Sequence, residues 1–397
     1  MHTDVDVLII GGGPAGLAAA ERTARAGRTV VVHRDAEIGR PVRTSGGSWK
    51  AYLLALGIPP HCYQEVDRLT IAAPGRRIEV SFRRDQPVVL DVTSTYGYLA
   101  QLASAAGANV RCASSFLRVI DEGTKVRCLV RQGGVEQEIS ARFVVEASGH
   151  HRAVLSKIGG NRPGRFGVGV EAEFENAGTE PTRAVLFVGN QFSPAGYGWI
   201  FPTRVGTVRV GIGIIRPDTR ASPSELLDRF LSSSQPEVLG VRLGALIEKH
   251  FGVIPSDGPA ACFLHGRIVS VGDAAGQALP LVGEGIRYSV EAGRRAGDAI
   301  AAALRNPDIT DVALRSYQHW WDSKYRRRFT LAQRANEKMG QLSDRKWHQV
   351  TGLLEGLSGD EVAALLRMDY GRFLAWKLAI KGGLRAARFF FHKPSRA

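Results

Sequence analysis

The segment that most constrains the fold is the glycine-rich turn at residues 11–16. An apolar run from Val5 to Ile10 precedes it, which is typical of a parallel strand buried on both faces. The turn carries glycine at the three positions of the G-x-G-x-x-G pattern, namely Gly11, Gly13 and Gly16. In such turns the first glycine permits the bend, the second lets the backbone approach a pyrophosphate, and the third lets the helix pack on the strand. The sequence therefore predicts a βαβ unit with a dinucleotide site.

The second strand of this unit ends in an irregular way. The helix begins near Pro14 and Ala15, so that its free N–H groups would face the phosphate, and a strand over 29–32 follows. Such a strand usually ends in an acidic residue that binds ribose hydroxyls. Here Arg34 and Asp35 follow instead. Asp35 would bind the ribose from one residue later, Arg34 would stack on the adenine or face a phosphate, or the segment is a solvated turn.

A second glycine-bearing segment, residues 267–286, predicts the other end of the same site. A strand ends at Gly272, and the carboxylate of Asp273 would accept hydrogen bonds from ribityl hydroxyls. A helix that starts near Gly285 would aim its N–H groups at an isoalloxazine ring, which gains negative charge on reduction. A third strand ends in small residues at 143–151. Together the segments predict an FAD site, whose residues beyond the first turn include Gly149, Gly272, Asp273, Gly283, Gly285 and Ile286.

The order of elements predicts an α/β protein in which the first domain is discontinuous. Strand, turn and helix patterns in 1–60, 90–160 and 262–305 predict a Rossmann-like FAD-binding domain. Alternating β-branched and aromatic residues in 61–89 and 161–261 predict an antiparallel-sheet substrate domain.

Helices are expected in two further places. Within the substrate domain, 222–231 and 240–250 are predicted helices, and 306–397 forms a helical C-terminal region. The last part of it, 371–397, holds seven Lys or Arg and no acidic residue, interspersed with apolar side chains. This composition favours either a helix at a membrane interface or a terminal helix packed on the body with solvated cations.

The net charge of +14 would attract nucleic acid, anionic lipid or acidic proteins. Because no nucleic-acid motif accompanies the charge, we expect lipid or an acidic redox protein rather than nucleic acid. The four cysteines are scattered without a C-x-x-C pair, which indicates reduced thiols rather than a metal site. No signal peptide or spanning segment is evident, so a cytoplasmic protein is expected, with peripheral contact at the inner face of the membrane as an option.

Tyr197, Trp199 and Phe201 form an aromatic stripe with a spacing of two residues. Residues two apart on a strand point to the same face, so the three rings would make a wall suited to binding a prenyl chain. The alternative is a stripe of core aromatic residues inside the sheet.

The stretch PAGYGWIFP at 194–202, followed by GIG at 211–213, resembles the Y-x-W-x-F-P … G-x-G signature of the geranylgeranyl reductase family. That family consists of FAD-dependent oxidoreductases with a glutathione-reductase-like fold of the p-hydroxybenzoate-hydroxylase type. The resemblance runs over essentially the whole chain. It implies an FAD enzyme, with Arg43 in a loop near the flavin ring, that saturates double bonds of a geranylgeranyl-type chain in a lipid or quinone.

Two departures from the family pattern concern catalysis and cofactor binding. Thr44 and Ser45 stand in the loop where family members often carry a cysteine. An isolated alkene accepts hydride poorly, so its reduction needs a proton donor, and a hydroxyl is a weaker acid than a thiol. The proton would come from these hydroxyls, from Tyr197 or Glu284, or from water, unless the reaction has changed. The segment 91–95 also lacks the arginine with which related flavoproteins contact FAD.

The sequence leaves the electron donor and two other functions open. Without a second G-x-G-x-x-G unit, electrons would come from transiently bound NADPH or from a reduced ferredoxin-like protein, an acidic partner that the basic chain would attract. The first alternative function is a flavin monooxygenase or halogenase acting on a secondary metabolite, although YGWIF at 197–201 departs from the W-x-W-x-I motif of halogenases. The second is a scaffold that has lost its flavin.

Overall fold

A computed structural model describes residues 2–122, 124–160 and 163–371, together with Leu374, Lys377 and Leu378. The strands are β1 (His2–Ile10), β2 (Thr29–Val32), β3 (Gly47–Trp49), β4 (Tyr63–Glu65), β5 (Arg68–Ala73), β6 (Arg76–Ser81), β7 (Pro87–Leu90), β8 (Asn109–Arg111), β9 (Ser114–Glu122), β10 (Val126–Gln132), β11 (Val135–Glu146), β12 (Phe166–Asn176), β13 (Arg183–Val188), β14 (Gly196–Pro202), β15 (Thr207–Arg216), β16 (Leu243–Pro255), β17 (Leu264–His265) and β18 (Ile268–Ser270). The α-helices are α1 (Pro14–Thr23), α2 (Lys50–Ala55), α3 (Val92–Ala105), α4 (Pro223–Leu231), α5 (Gln235–Val238), α6 (Ile286–Arg305), α7 (Thr310–Trp321), α8 (Arg327–Met339), α9 (Asp344–Leu354) and α10 (Gly359–Leu366).

The eight-stranded sheet brings together strands that are far apart in the chain. Its order is β17-β18-β11-β1-β2-β8, and the hairpin of β9 and β10 joins it through β11. The central pairs are parallel, and one row of the ladder joins Ile10, Glu146 and Ser270, the last residues of three strands. The three glycine-bearing segments therefore leave the sheet at one edge, as expected for a ligand site of a parallel sheet. The predicted Rossmann-like fold is confirmed.

Two glycines let α6 lie directly against α1. A Cβ added to Gly293 would lie 2.2 Å from the carbonyl oxygen of Ala15, and one added to Gly297 would lie 2.8 Å from that of Ala19. These separations are too short for real atoms, so larger side chains would push the two helices apart. The close packing fixes the start of α6 next to the glycine-rich turn before α1.

The seven-stranded sheet has the order β16-β12-β15-β14-β13-β5-β6 and is antiparallel except for the pair β13 and β5. One face packs its β-branched residues against Leu226, Leu227 and Phe230 of α4. The predicted antiparallel sheet and the helix at 222–231 are confirmed. The predicted bounds of the two domains stay a prediction.

The helix predicted over 240–250 is wrong. Residues 243–255 form β16, the edge strand of the seven-stranded sheet. The register of β16 with β12 runs from Leu243 to Pro255, so the predicted helical segment is paired along most of its length as a strand. Strand pairing over this length outweighs a weak local periodicity.

The predicted helical C-terminal region, 306–397, is helical from α7 to α10 in its described part. Most of the basic segment 371–397 lies outside the described residues, and so does the prediction of an interfacial helix there. Of the described positions, Leu374 and Leu378 are buried, and Lys377 donates a hydrogen bond to Glu361 at 2.6 Å. None of the helices in the described part of the chain is long and apolar enough to cross a membrane.

Candidate active site

The glycine-rich turn between β1 and α1 gives each glycine a separate structural role. Gly11 has a φ of +115°, and an added Cβ would lie 2.2 Å from the carbonyl oxygen of Ala147. At Gly16 an added Cβ would lie 2.0 Å from the carbonyl oxygen of Gly11. Gly13 differs, because its backbone is extended and a Cβ would meet nothing within 4 Å. Gly11 and Gly16 are thus required by packing, whereas Gly13 borders open space.

The irregular end of β2 folds into a polar cluster. Arg43 donates two hydrogen bonds to the carboxylate of Asp35, at 2.7 and 3.0 Å. Burial alone would raise the pKa of Asp35, but the hydrogen bond and charge of Arg43 outweigh it and lower this pKa below its usual value. His33 accepts a hydrogen bond from the Gly12 N–H at 3.2 Å, and burial lowers its pKa, which favours the neutral ring. Arg34 is half-exposed, and its Nε lies 3.8 Å from the carboxylate of Asp35.

A cavity of about 590 Å³, here called the glycine cavity, lies at this edge of the eight-stranded sheet. Twelve of the fourteen predicted FAD residues line it: Gly11, Gly13, Pro14, Ala15, Arg34, Asp35, Arg43, Gly149, Asp273, Gly283, Gly285 and Ile286. The other two, Gly16 and Gly272, lie behind the wall, where a Cβ would meet the Gly11 carbonyl oxygen or Ala15. The helix α3, which lacks the arginine of related flavoproteins, contributes Val92 and Tyr96 to the lining.

Asp273 lies deep in the glycine cavity. Burial raises the pKa of its carboxyl group to about 6. Burial, and then the charge of Asp273, also raise the pKa of Tyr96. A buried acid next to the start of α6 is costly for the protein without a ligand, and its position fits a group that accepts hydrogen bonds from ligand hydroxyls.

Asp273→Asn is expected to stabilise the ligand-free protein as the pH rises. Because the folded pKa is about 6 and the ordinary value is 3.8, the wild-type protein loses stability between those values as the pH rises. The variant has no such loss. Its free energy of unfolding should therefore exceed that of the wild type by about 1 kcal/mol at pH 4.5 and by about 3 kcal/mol at pH 7.5. Urea unfolding at both pH values measures this. Asp35→Asn, which removes a carboxylate with a lowered pKa, should lose stability at pH 7.5, and a pH-independent difference for Asp273→Asn would contradict the expectation.

A second cavity of about 340 Å³, here called the aromatic cavity, lies between the C-terminal helices and the face of the seven-stranded sheet opposite α4. Tyr197, Trp199 and Phe201 line it with successive ring centroids 5.9 and 6.4 Å apart. The predicted aromatic wall therefore borders a cavity instead of a closed core. Thr44 and Ser45 line the same cavity.

The Tyr197 hydroxyl is poorly suited to supply a proton. It donates a hydrogen bond to the carbonyl oxygen of Val282 at 2.6 Å. Burial also raises its pKa to about 12. The hydroxyl therefore fixes the tyrosine ring against the loop before α6.

Glycines on the neighbouring strand explain how the Trp199 indole can lie flat on the sheet. Gly211 is directly opposite Trp199 in the ladder, and a Cβ there would lie 2.2 Å from the indole ring. At Gly213 a Cβ would lie 3.3 Å from the same ring. The flat orientation lets the indole Nε1 donate a hydrogen bond to Glu171 at 2.6 Å. The G-x-G pair of the sequence thus makes room for the indole.

The glycine cavity and the aromatic cavity adjoin. Residues that line both include Arg43, Thr44, Gly169, Gly252 and Gly283. At Gly252 an added Cβ would lie 2.1 Å from the carbonyl oxygen of Arg43, so the Arg43 loop crosses directly over β16. A ligand in the glycine cavity would therefore have one end next to the aromatic cavity.

The comparisons with known proteins agree with this geometry. Residues 4–319 match a family described as FAD binding domain. A protein named digeranylgeranylglycerophospholipid reductase 2 from Methanothermobacter thermautotrophicus is 30% identical over 380 residues, which covers 93% of this chain and 96% of the relative. A protein of the same name from Methanopyrus kandleri is 30% identical, over 92% of this chain and 93% of the relative. This chain belongs to the geranylgeranyl reductase family of FAD-dependent oxidoreductases.

Two solved structures show which known proteins share the fold of this geranylgeranyl reductase family member. A geranylgeranyl bacteriochlorophyll reductase-like protein from Thermoplasma acidophilum aligns with a TM-score of 0.84 at 24% identity, over 96% of this chain and 97% of the other. A flavin-dependent brominase aligns with a TM-score of 0.69 at 18% identity, over 96% of this chain and all of the other. Reductase-like and halogenase structures share the fold, so the fold alone does not separate the two functions.

A buried ion pair in this family member was not predicted as a site. The Nε of Arg287 donates a hydrogen bond to Glu284 at 2.6 Å, and the hydroxyl of Ser48 donates one to the same oxygen at 3.0 Å. Glu284 lines the aromatic cavity. In the sequence, the signal for this ion pair is the separation of three residues between Glu284 and Arg287, a spacing at which helical side chains can pair. Since Arg287 neutralises this carboxylate, Glu284 is better suited to shaping the cavity than to donating a proton.

Proposed function

We propose that this protein uses FAD to saturate carbon–carbon double bonds in a geranylgeranyl-type isoprenoid chain of a lipid or quinone. The observation that carries the proposal is that the cavity lined by the predicted FAD residues adjoins the aromatic cavity. The relatives named digeranylgeranylglycerophospholipid reductase support the substrate class.

The residues present fit FAD at the glycine cavity. Gly13 borders open space that a Cβ would fill, which leaves the backbone accessible to a pyrophosphate. We assign the adenosine ribose to Asp35, the ribityl hydroxyls to Asp273, and the flavin ring to the start of α6 near Gly285, beside the junction that the Arg43 loop lines. Bound FAD, once reduced, supplies hydride for the saturation.

The aromatic cavity would bind the prenyl chain by excluding water. Trp199, Phe201 and the aliphatic residues around them offer few polar groups to a hydrocarbon. Each CH₂ removed from water contributes about 0.8 kcal/mol, so one five-carbon isoprene unit contributes roughly 3–4 kcal/mol. Thr44, which lines both cavities, and its neighbour Ser45 would contact the chain where it meets the flavin.

The electron donor and the route to the lipid belong to the same proposal. NADPH bound transiently or a reduced ferredoxin-like protein would reduce the flavin, and the net charge of +14 supports the acidic protein as donor. The basic segment 371–397 would contact anionic head groups of the membrane that holds the substrate.

The test uses the purified protein with FAD, reduced with dithionite under anaerobic conditions. Digeranylgeranylglycerophospholipid and a quinone with a geranylgeranyl chain are added separately, and the products are analysed by mass spectrometry. We expect a gain of two hydrogens per saturated bond together with reoxidation of the flavin. In a parallel aerobic assay with NADPH and halide, hydroxylation or halogenation of a small aromatic compound, without saturation of either prenyl substrate in the anaerobic assay, would favour the monooxygenase or halogenase alternative.

A further inference from the structure

A buried cluster of charged side chains lies on the same sheet face as Trp199. It consists of Glu171 and Glu173 on β12, Arg209 on β15 and His250 on β16, whose exposed fractions are only 3–6%. Glu171 and His250 also line the aromatic cavity. Buried charged groups are rare unless they are paired, so the pairing within this cluster is informative.

The sheet register assembles the cluster from residues far apart in sequence. His250, Glu171, Gly211 and Trp199 are direct neighbours in one row across β16, β12, β15 and β14. The adjacent row contains Gly252 and Gly169, which line both cavities. Two residues along a strand span about 7 Å, so Glu171 and His250 lie about that far from the junction of the cavities.

The contacts tie the four groups into one unit. His250 Nδ1 lies 3.0 Å from one oxygen of Glu171, and the other oxygen of Glu171 accepts the Trp199 hydrogen bond. His250 Nε2 lies 2.9 Å from the half-exposed Glu248. Arg209 Nε donates a hydrogen bond to Glu173 at 2.8 Å.

The charges balance only if the cluster holds one additional proton. Two buried carboxylates, Glu171 and Glu173, face one buried guanidinium, Arg209, so one negative charge is left over. Both ring nitrogens of His250 face carboxylates, which suits an imidazolium with two N–H groups better than a neutral ring with one. Burial lowers the pKa of His250, but hydrogen bonds to Glu171 and Glu248 outweigh it and raise this pKa above the ordinary value.

Saturation of an alkene requires such a proton. A hydride forms one new C–H bond, and the electron pair of the broken π bond takes up a proton at the other carbon. Thr44 and Ser45 are weakly acidic hydroxyls, and Tyr197 is held by Val282 with a pKa of about 12. The Glu171–His250 pair lines the same cavity, and a carboxylic acid or an imidazolium is a much stronger acid than these hydroxyls.

We propose that the Glu171–His250 pair stores the proton for alkene saturation and delivers it into the aromatic cavity, while Glu248 faces the second ring nitrogen of His250 and stabilises its positive charge. This rests on the proposed function. The proton of His250 Nδ1 passes to Glu171, whose carboxylic acid then protonates the alkene carbon that does not receive the hydride. His250 is left neutral with its remaining proton on Nε2, beside Glu248, and Glu171 is left ionised. After the product leaves, Glu171 takes up a proton from water in the aromatic cavity and passes it to His250 Nδ1, which restores the imidazolium.

Two nearly isosteric variants separate proton delivery from positioning. His250→Asn keeps a hydrogen-bond donor where Nδ1 lies, and Glu171→Gln keeps an acceptor for Trp199, but neither variant can carry the proton. We mix each dithionite-reduced holoenzyme with the prenyl lipid anaerobically and follow flavin reoxidation. The rate should fall about a hundredfold or more in both variants while the lipid Kd stays within about threefold, as general acid catalysis predicts. His348→Gln, at a histidine that contacts Pro74 away from the cavity, should keep the wild-type rate.

The pH dependence of the flavin reoxidation rate distinguishes proton delivery from a structural role, because the loss of a structural contact would leave the pH profile unchanged. The groups facing His250 are Glu171 and Glu173 from β12, Glu248 from its own strand and Arg209 from β15. With this environment, the wild-type rate should be highest at low pH and fall as the pH rises through the pKa of the pair, and His250→Asn should remove the fall. Trp199→Phe should weaken lipid binding but keep the pH profile.

The outcomes separate this inference from the proposed function. A wild-type enzyme that saturates no prenyl substrate contradicts the proposed function. A wild-type enzyme that does so, with both variants retaining its rate and pH profile, overturns the proton role. Should the variants fail to fold or to bind FAD, NMR titration of ¹³C-labelled histidine in the wild-type protein decides: the pKa of His250 must lie above the ordinary value of 6.5, and a pKa at or below that value overturns the inference.

Discussion

Gly13→Val is expected to give a folded but colourless protein. Gly13 has extended backbone dihedrals that valine adopts readily, and an added Cβ meets nothing within 4 Å. The side chain would fill the space we assign to the pyrophosphate and block close approach to the backbone. Steric overlap and lost hydrogen bonds together cost about 4 kcal/mol, so the Kd for FAD should rise about a thousandfold. Fluorescence titration of the apoprotein with FAD measures this Kd.

Two other glycines give the matched comparison. Gly97→Ala, on α3 with nothing within 4 Å of its Cβ, should fold and bind FAD like the wild type. Gly16→Ala would place its Cβ 2.0 Å from a carbonyl oxygen, so it should lower the melting temperature instead of leaving a stable apoprotein. If Gly13→Val binds FAD normally, the assignment of the glycine cavity is wrong. If the wild-type protein also fails to take up FAD, the flavin-free scaffold is the better description.

The sequence was sufficient to predict those parts of the site that local patterns encode. A strand, a glycine-rich turn and a helix form a pattern that is recognisable within about thirty residues. The turn at Gly11–Gly16 and the segment around Asp273 could therefore be located from the sequence alone. The stripe of Tyr197, Trp199 and Phe201 likewise follows from the alternation of side chains along a strand. Each of these inferences needs only neighbours along the chain.

The sequence was not sufficient where the pairing of distant strands determines which side chains lie next to each other. Glu171 and His250 are 79 residues apart, and only the register of β12 with β16 places them side by side. A shift of one residue would move His250 to the opposite face of the sheet. The incorrect helix over 240–250 has the same origin, because a partner strand distant in sequence determined the conformation. In a helix over 240–250, His250 would have no neighbour on β12, so only the strand pairing reveals Glu171 beside it.

Gly211→Ala is expected to abolish most prenyl saturation while leaving the flavin bound. The new methyl group would lie 2.2 Å from the Trp199 indole, which must then swing away from the sheet into the aromatic cavity. The indole would lose its hydrogen bond to Glu171 and occupy space needed by the chain. Overpacking and loss of a hydrogen bond to a charged group sum to about 4 kcal/mol, or roughly a thousandfold in kcat/KM. Steady-state saturation of the prenyl lipid by the FAD-loaded variant measures it.

A graded series identifies the indole as the cause. Gly213→Ala places its Cβ at 3.3 Å from the same ring, a contact that small shifts relieve, so only about a tenfold loss is expected. Gly97→Ala should leave kcat/KM unchanged. The near-ultraviolet circular dichroism of Trp199 should change most in Gly211→Ala, less in Gly213→Ala and least in Gly97→Ala. Combining Gly211→Ala with Trp199→Phe removes part of the clash and should restore part of the activity lost. An unchanged kcat/KM in Gly211→Ala would show that the prenyl chain binds elsewhere than along this wall, because no rearrangement keeps both the indole and the methyl group in place.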